Sequence, residues 1–133
     1  MRIAAGLAAG GFIIIACFQA ALAVGVPWGD AAWGGAAATL PTGLRIASGV
    51  AVVFWVFAAL IVLGRGGYAF SPVSEKVSRR GAWVLVGLLA LGTLMNLASP
   101  SNWERFGWAP FVFVNLVLCF IVARGGGEQD EGP

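Results

Sequence analysis

Long apolar stretches alternate with short polar segments along this chain, and the alternation occurs four times. The apolar stretches lie at roughly Ala4–Val24, Leu44–Gly64, Ala82–Ala98 and Ala109–Ala123, and none of them contains Asp, Glu or Lys. A helix needs about 20 apolar residues to cross the hydrocarbon core of a bilayer, which is about 30 Å thick. The pattern predicts an all-α membrane protein, an antiparallel four-helix transmembrane bundle with a structured outer loop between helices 1 and 2.

Composition agrees with this pattern, since 59% of the residues are hydrophobic and the mean hydropathy is +0.89. We expect residues 1–124 to form a single four-helix transmembrane domain and residues 125–133 to form a flexible, acidic cytoplasmic tail. The first apolar stretch, between Arg2 and Ala23, also resembles a signal peptide. Because it continues to Val26, we expect it to be retained as the first span.

Most of the basic residues are predicted to lie at one end of the bundle. Only Arg45 and Arg105 lie near the other ends of the spans. The basic group consists of Arg2, Arg65, Lys76, Arg79, Arg80 and Arg124. Because Lys and Arg concentrate on the cytoplasmic side of membrane proteins, both termini and the loop Tyr68–Arg80 are predicted to be cytoplasmic. The protein is thus expected to be a multi-pass protein of the bacterial plasma (inner) membrane.

Several classes of chemistry are hard to build from these residues. The chain has no histidine, which is the commonest general base and the commonest transition-metal ligand. Cys17 and Cys119 both lie inside predicted spans and form no C-x-x-C motif. The net charge of +2 is small and is spread along a membrane margin. We therefore expect no metal, no cofactor and no nucleic acid, and a lipid bilayer as the surroundings.

The predicted outer end contains most of the unusual residues of the chain, including four of its six tryptophans. These residues define a candidate outer-face binding site. Its members are Trp28, Asp30, Trp33, Arg45, Ser48, Trp103, Glu104, Arg105 and Trp108. The tryptophans also fit an aromatic belt at headgroup depth, and the charged residues also fit exposed ion pairs.

Two of these charged residues have specific interpretations. Glu104 completes the S-x-x-E pattern of a capping box that starts at Ser101, and as a cap it needs no ligand. Arg45 shares a helical stripe with Ser48 at the mouth of the second span. A planar guanidinium there suits carboxylate or phosphate, so we expect any anionic group to bind at Arg45 or Arg105.

Each span also carries a polar side chain near its outer end. The candidate polar layer consists of Gln19, Thr93, Asn96 and Asn115, at depths similar to that of Ser48. Polar groups that face lipid have no water to bond, so these side chains are predicted to point into the bundle. They fit either hydrogen bonds between helices or the lining of a wet pocket.

Three motifs carry a resemblance to known proteins. They are P-W-G-x-x-A-W-G-G at Pro27–Gly35, L-P-x-x-L-R-x-x-S at Leu40–Ser48 and S-P-S-x-x-E-R-x-x-W-x-P at Ser99–Pro110. With them the chain resembles a group of small bacterial four-span integral membrane proteins of unknown function. The resemblance implies an inner-membrane protein whose outer segments are its characteristic part, and it implies no activity.

Three functions are compatible with this sequence. The first is a membrane-embedded binding or accessory protein with an outward-facing, polar, Trp-rimmed recess that docks a partner protein, a lipid or a small amphiphile. The second is an oligomeric small-solute transporter or channel, although the inner half of the spans offers almost no polar side chains. The third is an outward-facing lipid-modifying enzyme that uses Asp30 or Glu104 beside Arg45. A membrane protein partner or a homo-oligomer fits the first two.

Overall fold

The computed structural model describes residues 1–125 and has four long helices in this part of the chain, with no strand. They are α1 (Arg2–Ala23), α2 (Thr42–Arg65), α3 (Glu75–Ala98) and α4 (Ala109–Gly125), the last of which continues directly from a π-helical stretch, Glu104–Trp108. All four are long and apolar enough to cross a membrane, counting the last from Glu104 to Gly125. For these residues, the prediction of an all-α fold with four helices long and apolar enough to span a membrane is confirmed. Gly125 ends α4, and the rest of the predicted acidic tail, 126–133, lies outside the described residues.

Two helical segments, the third and the last, begin at least five residues before their apolar stretches. The first turns of α3 include Lys76, Arg79 and Arg80, so the predicted loop up to Arg80 is too long. The hydroxyl of Ser74 accepts a hydrogen bond from the amide of Val77 at 3.4 Å and caps this helix. A cap of this kind lets a helix start among charged residues that lie outside the apolar stretch.

The second early start lies at the entrance to α4. The amide of Ala109 bonds to the carbonyl of Glu104 across a wide π turn. Pro110 follows; it has no amide N–H, and in a regular helix its ring would collide with the carbonyl four residues before it. The wide turn accommodates this proline without interrupting the helix. The last helical segment therefore begins before Ala109, at Glu104.

Apolar side chains fill the middle of the bundle. Phe12 of α1, Val62 of α2, Leu89 of α3 and Val122 of α4 are almost fully buried in one cluster. Phe12 also stacks on the indole of Trp55, with ring centroids 5.4 Å apart. Every long helix therefore contributes to one common core.

Contacts at one end of the bundle connect three parts of the chain. The Tyr68 hydroxyl donates to the carbonyl of Arg2 at 3.1 Å, and Nη2 of Arg65 donates to the carbonyl of Ala123 at 3.4 Å. The start of α1, the connection between α2 and α3, and the end of α4 thus lie together. We call this the basic end, and we call the end formed by residues 24–41 and 99–108 the tryptophan end.

The loop between α1 and α2 is compact. It contains two short 3-10 turns, Gly29–Ala31 and Trp33–Gly35. The amide of Gly29 donates to the carbonyl of Ala38 at 2.8 Å, and a side chain at Gly29 would collide with the neighbouring backbone. Trp33 has a left-handed φ of 52°, so the loop turns sharply at this residue.

A cleft at the tryptophan end

Trp33 fastens the loop to α2. Its indole nitrogen donates a hydrogen bond to the hydroxyl of Ser48 at 3.1 Å, and Ser48 is 0% exposed. A buried hydroxyl needs a partner, and here the partner comes from the loop. The structure thus brings these two predicted site residues together.

Glu104 joins the two segments of the tryptophan end. Its Oε1 accepts from the amide of Gly34 at 3.3 Å, and its Oε2 accepts from the hydroxyl of Ser99. Half of the predicted capping box forms, because the amide of Glu104 donates to Oγ of Ser101 at 3.3 Å. The other half does not form, since the amide of Ser101 donates to Ser99 Oγ at 3.1 Å. The carboxylate therefore bonds to another loop instead of closing its own cap.

One more bond joins the two segments, and another lies within the second segment. The Ser101 hydroxyl donates to the backbone carbonyl of Asp30 at 2.5 Å, and Nη2 of Arg105 donates to the carbonyl of Ser99 at 2.9 Å. Asp30 is exposed, and its backbone oxygen rather than its carboxylate makes this contact. Arg105 thus stabilises its own segment, residues 99–108.

Arg45 bonds to the end of the first helix. Its Nε donates to the carbonyl of Ala23 at 3.1 Å, and its guanidinium lies against Gly25, where φ is 98°. A side-chain carbon at Gly25 would lie 3.3 Å from Cζ of Arg45. The last carbonyls of a helix attract cations, so this contact stabilises the end of α1.

A cleft of about 850 Å³ lies among the helices at the tryptophan end. Most of its lining is apolar, and it includes the polar side chains of Gln19, Asn96, Ser99 and Glu104 and the indole rings of Trp33, Trp55 and Trp108. Val50 of α2 and Met95 of α3 also line it and are 66% and 65% exposed. The cleft therefore opens between α2 and α3, on the side of the bundle.

Three members of the predicted polar layer lie near this cleft. Oε1 of Gln19 is buried and has no hydrogen-bond partner in the described part of the chain. Nδ2 of Asn96 donates to the carbonyl of Gly92 at 2.8 Å, within its own helix. The Thr93 hydroxyl likewise bonds to the carbonyl of Leu89 at 2.8 Å, and Thr93 does not line the cleft.

Asn115 lies apart from the other members of that layer. It is buried, and its Nδ2 donates to the carbonyl of Ala8 at 3.4 Å, beside Gly11. Gly11 and Gln19 are separated along α1 by about 12 Å at 1.5 Å per residue. The prediction counted depth from Ala109, whereas the helical segment begins earlier, so Asn115 lies deeper than Gln19.

The four tryptophans of this end have different surroundings. Trp108 lines the cleft and packs against Phe18 with ring centroids 4.8 Å apart, and Trp28 stacks on the same ring at 6.2 Å. Trp103 is 67% exposed and does not line the cleft. Only Trp33 and Trp108 of the four thus contribute to its wall.

Sequence reasoning missed Phe18, Trp55 and Met95, all of which line the cleft. Each lies in an apolar stretch and looks like any residue that faces the core or lipid. The one usable signal was the helical stripe that places Trp55 seven residues after Ser48.

Comparison of the chain with family models, with curated proteins and with solved structures finds no match. The resemblance to small bacterial four-span proteins therefore stays a prediction, and the function has to be argued from the cleft. A concave, mostly apolar site with a few polar groups at one end suits the binding of a molecule with the same division.

Proposed function

We propose that this protein is a membrane-embedded binding protein whose cleft holds an amphiphile. The apolar chain of the ligand would lie between α2 and α3, and its polar head would lie near Glu104. The observation that carries the proposal is the cleft itself. Its volume of about 850 Å³ is within the range of about 300–1,000 Å³ that is usual for small-molecule sites.

The proposal includes an orientation in the bacterial plasma membrane. In it the helices are antiparallel, both termini and the basic end face the cytoplasm, and the tryptophan end faces outward. The uneven distribution of Lys and Arg supports this orientation. The cleft then lies in the outer leaflet, and its opening between Val50 and Met95 faces lipid. A ligand would enter sideways from the membrane.

Binding has more support than transport. The deeper part of the cleft is lined by Ile15 and Trp55, and the indole of Trp55 stacks on buried Phe12. Beyond this pair the apolar core occupies the space between the helices. A polar solute would find no hydrophilic path there, whereas a bound chain needs none.

A glycine pair on α3 offers a matched test. A side chain at Gly92 would point toward the cleft and meet Cγ1 of Val112 at 3.8 Å, while one at Gly87 would meet nothing within 4 Å. We expect protein purified from phosphatidylethanolamine and phosphatidylglycerol vesicles to retain lipid in native mass spectrometry. Gly92→Leu should lose this lipid and Gly87→Leu should keep it. Equal retention by both variants would contradict the proposal.

A further inference from the structure

We infer that the cleft selects an amphiphile whose head is a primary ammonium, a cation that donates hydrogen bonds. The inference rests on the proposed function and specifies the chemical class of the ligand. It follows from the acceptors that Glu104 offers to the cleft, and from the sign of the charge that lines it.

Three hydrogen-bond donors that line the cleft are already engaged within the protein. The indole N–H of Trp33 bonds to Ser48, and the hydroxyl of Ser99 bonds to Glu104. Nδ2 of Asn96 bonds to the carbonyl of Gly92 at 2.8 Å. A sulfate or a carboxylate could pair with these three donors only by breaking their bonds, so the charge of the lining decides between an anion and a cation.

Acceptors remain available in the same place. Oε1 of Gln19 has no partner among the described residues, but it is buried out of reach of the cleft. Each carboxylate oxygen of Glu104 accepts one bond and can accept another. A ligand that supplies N–H groups can therefore bond to the carboxylate of Glu104.

The charge of the cleft also favours a cationic ligand. Within the described chain, Glu104 is the one charged side chain that lines it. Arg45 and Arg105 lie at the same end, but they bond to the carbonyls of Ala23 and Ser99 and do not line the cleft. A carboxylate at the edge of an apolar cavity attracts a cation more strongly than it would in water. The sequence led us to expect an anion site at Arg45 or Arg105, whereas this proposal places a cation site at Glu104.

Dodecyl amphiphiles test the inference on protein held in phosphatidylcholine nanodiscs. Isothermal titration should show dodecylammonium binding at least about tenfold more tightly than dodecyl sulfate, as expected for one charge-assisted hydrogen bond. Dodecyltrimethylammonium has the same charge but no N–H group, and it should bind more weakly than dodecylammonium. Equal binding of all three would overturn the inference.

Variants locate the site. Glu104→Gln keeps an acceptor for Ser99 but removes the charge, and it should weaken dodecylammonium binding about tenfold without weakening dodecyl sulfate. Asp30→Asn removes an equal charge from the same end, outside the cleft, and should leave both affinities unchanged. If Glu104→Gln does not fold by circular dichroism, Glu104→Asp decides, since it withdraws the carboxylate from the cleft by one methylene group and should also weaken dodecylammonium binding. Unchanged ammonium affinity in the folded variant would contradict the inference.

The same ammonium could belong to a membrane lipid or to a soluble amine. Native mass spectrometry after transfer into equal mixtures of phosphatidylethanolamine and phosphatidylcholine separates the two sources. Preferred retention of phosphatidylethanolamine supports a lipid ligand, and dodecylammonium binding without this preference supports a soluble alkylamine. If Gly92→Leu has no effect on any amphiphile, the proposed function fails as well. If it blocks binding but head groups are not distinguished, only the inference fails.

Discussion

The indole nitrogen of Trp33 donates a hydrogen bond to the buried hydroxyl of Ser48 at 3.1 Å, and this bond joins the loop after α1 to the inner face of α2. Trp33 has a φ of 52°, a left-handed conformation that costs a residue with a side chain about 1–2 kcal/mol. The bond to Ser48 helps to offset this cost. Ser48 therefore holds the indole ring of Trp33 in place, and this ring forms part of the cleft wall.

Trp33→Phe removes this bond and keeps an aromatic ring. We expect a loss of about 1 kcal/mol in the free energy of unfolding, measured in detergent by titration with dodecyl sulfate, because Ser48 loses its donor. Trp103→Phe, at an exposed indole, should change it little. A double-mutant cycle of Trp33→Phe with Ser48→Ala should give a coupling of similar size. Additive effects would show that the two residues do not interact.

Ser101→Ala should loosen the contact between the two segments of the tryptophan end. The Ser101 hydroxyl donates to the carbonyl of Asp30 and accepts from the amide of Glu104, so both bonds are lost. We expect a cost of about 1–2 kcal/mol, and faster hydrogen exchange at the amides of Gly29 and Gly34.

The matched control for this variant is Ser74→Ala. It removes only the cap of α3, at the basic end, where Ser74 accepts from the amide of Val77. Its cost should be about 1 kcal/mol, with no change in exchange in the loop before α2. If both variants had the same exchange pattern, the link through Ser101 would be wrong.

Labelling tests the proposed orientation. In a Cys17→Ala, Cys119→Ala background, Ala37→Cys lies in the loop of the tryptophan end, and Ala69→Cys lies in the connection at the basic end; both positions are exposed. A membrane-impermeant maleimide applied to intact cells lacking an outer membrane should modify the first and spare the second until lysis. The reverse pattern would place the cleft in the cytoplasmic leaflet.

The sequence predicts the four helices well because each apolar stretch has the length that a bilayer requires. It predicts their ends less well, because local groups decide where a helix starts. Ser74 extends α3 backward into charged residues, and the wide turn before Pro110 extends the last span. The second extension also accounts for the unexpected depth of Asn115.

The sequence predicts which residues lie at the candidate site, but it does not predict their hydrogen-bond partners. A single sequence places Arg45 and Glu104 near the same end, yet each finds a partner that depends on how distant loops fold. Arg45 meets the carbonyl of Ala23 where the chain turns at Gly25, and Glu104 meets the amide of Gly34, which lies 70 residues earlier in the chain. The carbonyl of Ala23 and the amide of Gly34 are backbone groups, so no pattern of residue types predicts these two contacts.

Variants at Gly11 and Asn115 test how α1 and α4 pack beneath the cleft. A side-chain carbon at Gly11 would overlap Oδ1 of Asn115, which fills the space beside the glycine. Gly11→Ala should therefore cost about 1–3 kcal/mol of stability in detergent through overpacking. Gly10→Ala, one residue earlier on an open face of α1, should be neutral or slightly stabilising.

Asn115→Ala should rescue Gly11→Ala, because it removes the side chain that the new methyl group meets. The double variant should be more stable than the sum of the two single losses by about 1–3 kcal/mol, since residues in contact do not act additively. Close approach over a glycine is how helices pack where lipid gives no hydrophobic drive, so this pair should hold α1 against α4. If Gly11→Ala were harmless, or if the two losses simply added, the helices would not meet at Gly11.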